Sequence, residues 1–177
     1  TDVDIKKYKI GFCDSGLYEG RIIIPSYDDK GLLNYFVGRS FVGEKMKYKN
    51  PNVSRDIVPF DWYIAWSKPI VLCEGVFDAM SIRSNAIPML SKKPSKSLLQ
   101  KIFEKNVKTI YIALDDDAKK DAYNMSEFFK DFGIDCKVVQ LPKDKDPNDL
   151  GWEKITTLIH TTESASFSDS IQARLYG

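Results

Sequence analysis

The sequence predicts an α/β fold: a parallel sheet flanked by helices, preceded by a small β-rich basic subdomain. Three observations carry that expectation. From residue 69 onward, short apolar runs alternate with amphipathic stretches, the pattern of successive β-α units. Two of the runs, 69–73 (Pro-Ile-Val-Leu-Cys) and 109–114 (Thr-Ile-Tyr-Ile-Ala-Leu), lack the polar alternation of a half-exposed strand and read as strands buried on both faces of a parallel sheet. Before residue 66 the pattern changes to short alternating strands separated by turn residues. The expected organisation is a basic β-rich subdomain over 1–66, the α/β domain over 67–160, and the start of a C-terminal helical element over 161–177.

Residues 21–25 and 33–37 read as two strands joined by the turn residues Asp28, Asp29, Lys30 and Gly31. Beyond them Arg39, Lys45, Lys47, Lys49 and Arg55 face a single acid, Glu44, with Phe41 and Tyr48 interspersed. That mixture suits phosphate contacts and base stacking, although lysines on a sheet edge also deter aggregation. After the 69–73 strand a helix is expected over 76–85, then a strand over 86–90 whose Pro88 favours an edge position. Pro94 opens a helix with Leu98, Leu99, Ile102 and Phe103 on one face, and with Lys96, Lys101, Lys105 and Lys108 on a solvated one. Ala122, Met125, Phe129 and Phe132 recur at helical spacing, with Gly133 as the stop. A strand over 136–141, a polar loop over 142–149 and a helix turning Leu150, Ile155, Leu158 and Ile159 inward complete the α/β part.

Composition bounds the function. A length of 177 residues allows one domain with a core and a small appended piece, and a net charge of +1 excludes a uniformly basic surface, so attraction for nucleic acid must come from local patches. Cys13, Cys73 and Cys136 are odd in number and far apart, which fits reduced thiols in a cytoplasmic protein. His160 is the only histidine, so histidine triads and multi-histidine metal sites are excluded within this sequence; beside a helix end it reads as a surface residue. No run is apolar enough to span a membrane. The sequence opens at Thr1 without a methionine, so a piece of something longer is expected.

The chemistry lies where the strands end. Glu74 and Asp78 follow the first buried run, Asp115, Asp116 and Asp117 follow the second, and Asp144, Asp146 and Asp149 lie in the loop after the last strand. Carboxylates gathered at one end of a parallel sheet repel one another, and a divalent cation is the usual means of keeping them ionised side by side. Any one of these pairs alone is as well explained by a solvated turn or by the helix dipole. Acids after three successive strands, however, converge by topology. Magnesium, completed by water and substrate phosphates, then implies phosphoryl or nucleotidyl transfer.

These residues resemble a Toprim domain, the core shared by bacterial and phage-type primases, topoisomerases and some nucleases. The resemblance covers about residues 69–159, with Glu-Gly-x-x-Asp at 74–78, Asp-x-Asp at 115–117 and Asp-Pro-Asn-Asp at 146–149. The preceding segment, Gly-Arg-Ile-Ile-Ile-Pro from Gly20, Val-Gly-Arg-Ser from Val37 and Lys-Tyr-Lys-Asn-Pro from Lys47, is similar to the basic subdomain of DnaG-type primases. The resemblance implies a primase core, a DNA-dependent RNA polymerase that makes short primers by nucleotidyl transfer with magnesium, or manganese as a substitute.

By the same resemblance Glu74 is the acid/base or metal-orienting residue. Asp78, Asp115 and Asp117 are metal ligands, and Asp146 is a further acid of the metal site. The resemblance further implies that Arg39, Lys47 and Lys49 contact template or triphosphate; Lys92, which follows the strand over 86–90, is expected from its position to face the same crevice. The implied partners are a single-stranded DNA template, ribonucleoside triphosphates and a replicative helicase reached through regions outside this sequence, in a cytoplasm that is the host's if the chain is phage-encoded. Three departures stand out: Asn148 where many relatives carry a second aspartate, Asp116 in place of a small residue, and no zinc ribbon. A Toprim-type metal-dependent nuclease and a catalytically incomplete nucleic-acid-binding fragment are the competing readings.

Overall fold

The computed structural model describes residues 1–43 and 45–162. Two sheets organise them. An antiparallel sheet contains β1 (Gly11–Cys13), β2 (Arg21–Tyr27) and β3 (Leu33–Ser40) in sequence order. A parallel sheet contains β4 (Ile70–Cys73), β5 (Ala86–Pro88), β6 (Thr109–Ala113) and β7 (Asp135–Val138) in the order β5-β4-β6-β7. The α/β class and the β2–β3 hairpin agree with the sequence reading, and β5 lies at the sheet edge, as Pro88 requires.

The parallel sheet is covered on both sides. Ile70, Leu72, Ile110 and Ile112 share a core with Leu98 and Ile102 of α3 (Lys96–Glu104) and with Ala122, Met125 and Phe129 of α4 (Lys119–Asp131). The intervening residues Val71, Cys73 and Ala113 pack with Val76, Ala79 and Ile82 of α2 (Val76–Ile82) and with Ile155 and Ile159 of α5 (Pro147–Thr161). This second core continues through Tyr8 and Phe60 to Ile24, Tyr35 and Val37 of the antiparallel sheet. Period-two alternation along β4 thus decides which helix each strand residue meets.

Several elements differ from expectation for identifiable reasons. Helix α2 ends at Ile82, not at 85, because Arg83 and Asn85 take left-handed conformations (φ 60° and 52°). Asn85 there donates to the carbonyls of Ala65 and Pro69 and accepts from Ala65 N–H, fixing the turn into β5. Helix α3 is capped by Ser95, whose Oγ accepts from Leu98 N–H, so Pro94 lies just outside the helix. Phe103 and Phe132 are not core; they cluster with Phe128 on the surface, each of Phe103 and Phe128 at a centroid distance of 5.0 Å from Phe132. Helix α1 (Asp2–Tyr8), with a capping box between Thr1 and Asp4, and strand β1 went unpredicted. The element expected over 161–177 lies, from residue 163, outside the described residues.

Lys101 corrects the expectation of a solvated lysine face. Its Nζ reaches Asp29 Oδ2 at 2.7 Å and Asp61 Oδ2 at 3.1 Å, joining the β2–β3 turn and the segment after β3 to α3. Asp61 is buried and also accepts from Trp66 Nε1 at 2.8 Å. Lys101→Ala should lower the unfolding free energy by about 3 kcal/mol, the lower end of the range for breaking a buried pair because the indole still donates. Chemical denaturation measures this, and a loss below about 1 kcal/mol would show that Asp61 is solvated enough to need no cation.

Candidate active site

Strand order places the site. The chain passes from β4 to one neighbour, β5, then crosses back over β4 to β6, so the crossovers leave in opposite directions at the β4/β6 boundary. A crevice opens at the carboxyl ends of two such strands. Cys73 pairs with Ala113 across this boundary, which brings Glu74 and Asp115 to the same mouth. The cleft there, about 760 Å³, is lined by Glu74, Asp78, Asp115, Asp146, Asn148 and Asp149, and opposite them by Val37, Arg39, Tyr48 and Asn50 from the antiparallel sheet and its following segment.

Asp78 is held most firmly. It sits in the first turn of α2, with Oδ2 accepting Gly75 N–H at 2.9 Å, and is 8% exposed. Burial raises its pKa to about 7, helped by the charges of Asp146 and Asp115, against the lowering effect of backbone N–H groups from Gly75 and Asn148. Glu74 and Asp115 are raised too, by burial first, then by Asp115 for Glu74 and by Asp146 for Asp115, with Lys92 opposing both shifts. Asp146 caps α5 by accepting Asp149 N–H at 2.5 Å. Asn148 Oδ1 accepts from Ser81 Oγ at 3.0 Å, linking α5 to α2.

Of the residues singled out in the sequence, Glu74, Asp78, Asp115, Asp146 and Arg39 therefore meet in one cleft. Asp117 does not line it. Residues 116–118 form a 3-10 turn, not the geometry that would aim Asp115 and Asp117 alike; Asp117 is turned outward, 74% exposed, and paired with Lys92 Nζ at 2.8 Å. Lys92 thus stands beside the acids through Asp117. Lys49 faces elsewhere, with its Nζ donating to Leu17 O at 2.8 Å and lining a smaller cleft, about 350 Å³, with Leu17 and Val42. Lys47 is exposed, and its carbonyl accepts from Ser40 N–H.

The segment carrying Lys47, Tyr48 and Lys49 lies against β3 because Gly38 has no side chain. Lys49 N–H donates to Gly38 O at 2.8 Å, and a Cβ at Gly38 would stand 2.5 Å from Lys49 O. This close approach brings Tyr48 beside Arg39, whose guanidinium donates to the Tyr48 hydroxyl and lies 4.9 Å from that ring and 5.2 Å from the ring of Phe77. Phe77 was missed in the sequence because it occupies a spacer position of the Glu-Gly-x-x-Asp motif.

The donor set fits a hard cation. Asp115 Oδ1 is buried without a hydrogen-bond partner, an arrangement that costs free energy unless something electropositive approaches it. Among the described residues no three acids are already gathered as a closed metal-binding group. A cation held here would be bound by few carboxylates and completed by water, the coordination that magnesium accepts.

Residues 71–151 match the family model Toprim_2, described as Toprim-like. The fold and the cleft thus define a Toprim-like domain. The sequence is 31% identical over 163 residues to the DNA primase of Campylobacter jejuni and 28% identical over 150 residues to that of Thermotoga maritima. These alignments cover 79% and 75% of this chain, which spans about a quarter, 26%, of each primase. The RNA polymerase domain of the Mycobacterium tuberculosis primase DnaG superposes with a TM-score of 0.79 at 16% identity, over 99% of this chain and 76% of that one. The same domain in complex with double-stranded DNA gives 0.78 at 18% identity, over 97% and 73%. The chain thus has a Toprim-like region over residues 71–151 and shares the overall α/β architecture of these primase domains. No helix among the described residues is long and apolar enough to cross a membrane.

Proposed function

We propose that this chain is the catalytic core of a DNA primase, transferring nucleotidyl groups from ribonucleoside triphosphates to a growing primer on single-stranded DNA. The observation that supports it best is the convergence of Glu74, Asp78, Asp115 and Asp146 on one open cleft, with Arg39 on the facing wall. Asp115, Asp78 and Asp146 would hold magnesium, or manganese in its place, with Asp117 joining from the rim. The metal would polarise the reacting phosphate and neutralise charge on the departing pyrophosphate. Glu74, its pKa raised by burial and by Asp115, would take a proton from the attacking hydroxyl. Arg39 supplies positive charge for the triphosphate tail, and Lys92, through Asp117, limits the repulsion among the acids. A cleft open on one side leaves room for a template-primer duplex. A helicase partner and a cytoplasmic location belong to the same proposal.

Incubation with ribonucleotides, a single-stranded template and magnesium tests it: primers should accumulate. Shortening of the template would instead indicate a nuclease, and metal-independent binding with no product a binding fragment.

Arg39→Ala should make the salt dependence of single-stranded DNA binding shallower, by about 0.7 in log–log slope for each phosphate the side chain had neutralised, and Lys47→Ala should do likewise. Binding titrations at several salt concentrations measure the slopes. Unchanged slopes in both variants would move the DNA track off this wall.

A further inference from the structure

Arg39 is the one cation lining the acidic cleft, against Glu74, Asp78, Asp115, Asp146 and Asp149, yet no ion pair ties it to any of these among the described residues. Two rings hold it instead. Its Cζ lies 4.9 Å from the Tyr48 centroid and 5.2 Å from the Phe77 centroid, both within the reach of a cation–π attraction, and one guanidinium nitrogen donates to the Tyr48 hydroxyl. A ring attracts the cation without neutralising it, whereas a carboxylate would do both. The remaining guanidinium donors stay available, and a planar fork of donors is suited to two phosphate oxygens at once.

The rings come from different parts of the fold. Phe77 is in the first turn of α2, one residue before Asp78, and Tyr48 is in the segment that Gly38 admits beside β3. A guanidinium held by both is fixed relative to the acids, although its own backbone belongs to the antiparallel sheet. We propose that Tyr48 and Phe77 are positioning residues for Arg39, an aromatic clamp that presents its guanidinium across the cleft to a polyphosphate. The ligand class rests on the nucleotidyl-transfer reading above; the clamp rests on the ring geometry.

The test is a double-mutant cycle on the whole chain, read by calorimetric binding of inorganic tripolyphosphate with magnesium and by NMR of the Arg39 side chain. Arg39→Ala should weaken binding about tenfold, the worth of one charge-assisted hydrogen bond. Phe77→Leu should weaken it about threefold to fivefold, in keeping with a partly exposed cation–π pair. Phe77→Leu should add nothing in the Arg39→Ala background, and Phe77→Tyr, which keeps the ring, should bind as wild type does. The Arg39 Nε–H resonance should show an upfield ring-current shift in wild type and in Phe77→Tyr, and lose part of it in Phe77→Leu.

Additive losses in the cycle would overturn the clamp, as would tripolyphosphate binding indifferent to Arg39→Ala or an Arg39 resonance unmoved by Phe77→Leu. Coupled binding in a protein that makes no primers would leave the clamp standing and remove the catalytic reading. Primer synthesis without coupling would do the reverse.

Discussion

Asp115→Asn is expected to reduce magnesium-dependent primer synthesis by about 10²-fold or more, since losing one anionic metal ligand removes several kcal/mol of charge stabilisation in the transition state. The fold should persist. Asp115 Oδ1 makes no hydrogen bond that the substitution would break, and the ionised carboxylate is disfavoured in the folded chain by burial and by Asp146. Asp117→Asn should cost less, about tenfold, because its carboxylate is turned to solvent and to Lys92 and would reach a metal only from the rim. Primer yield against magnesium concentration separates the two. Equal losses would mean that the 116–118 turn rearranges when metal binds, and near-normal activity in Asp115→Asn would place the metal elsewhere.

Much of this site is legible in the sequence because it is a property of topology. Apolar runs at 69–73 and 109–114 identify buried strands, and the residues following such strands meet at a switch point whatever the side-chain detail. That logic gathers Glu74, Asp115 and Asp146. It cannot decide where a side chain points within a turn, so Asp117 came out on the wrong side of a 3-10 turn. Nor can it find partners distant in sequence. Lys101 and Asp29 are 72 residues apart, and nothing near Lys101 marks it as different from Lys105 or Lys108.

The elements that were missed carry weak local signals. Helix α1 has seven residues and buries only Tyr8, too little to set up an apolar period, although Thr1 and Asp4 are spaced as a capping box. Strand β1 exposes Phe12 and pairs along one edge only. The surface placement of Phe132 shows the opposite error, since helical spacing names a face without saying whether anything covers its last turn.

Asp78→Asn should stabilise the metal-free protein at pH 8 while disabling it. In the folded chain the Asp78 carboxyl titrates at about 7, against 3.8 for an unperturbed aspartate. Between those values the unfolded chain has released the proton and the folded chain still holds it. Raising the pH therefore favours unfolding throughout that window, and the accumulated loss above pH 7 is about 4 kcal/mol. Burial is the largest cause, with repulsion from Asp146 and Asp115 added, and the raised pKa values of Glu74 and Asp115 tilt stability the same way. An asparagine keeps an oxygen for Gly75 N–H but cannot ionise, so the variant should lose most of the decline between pH 5 and pH 8. Thermal unfolding in chelator at the two pH values measures it. Magnesium should restore stability to the wild type at pH 8, with release of a proton from Asp78, and should do much less for the variant. A metal-free wild type equally stable at both pH values would show that Asp78 is already ionised and solvated. It would then be an ordinary helix-terminal acid, and the acid cleft would hold no stored repulsion for a cation to relieve.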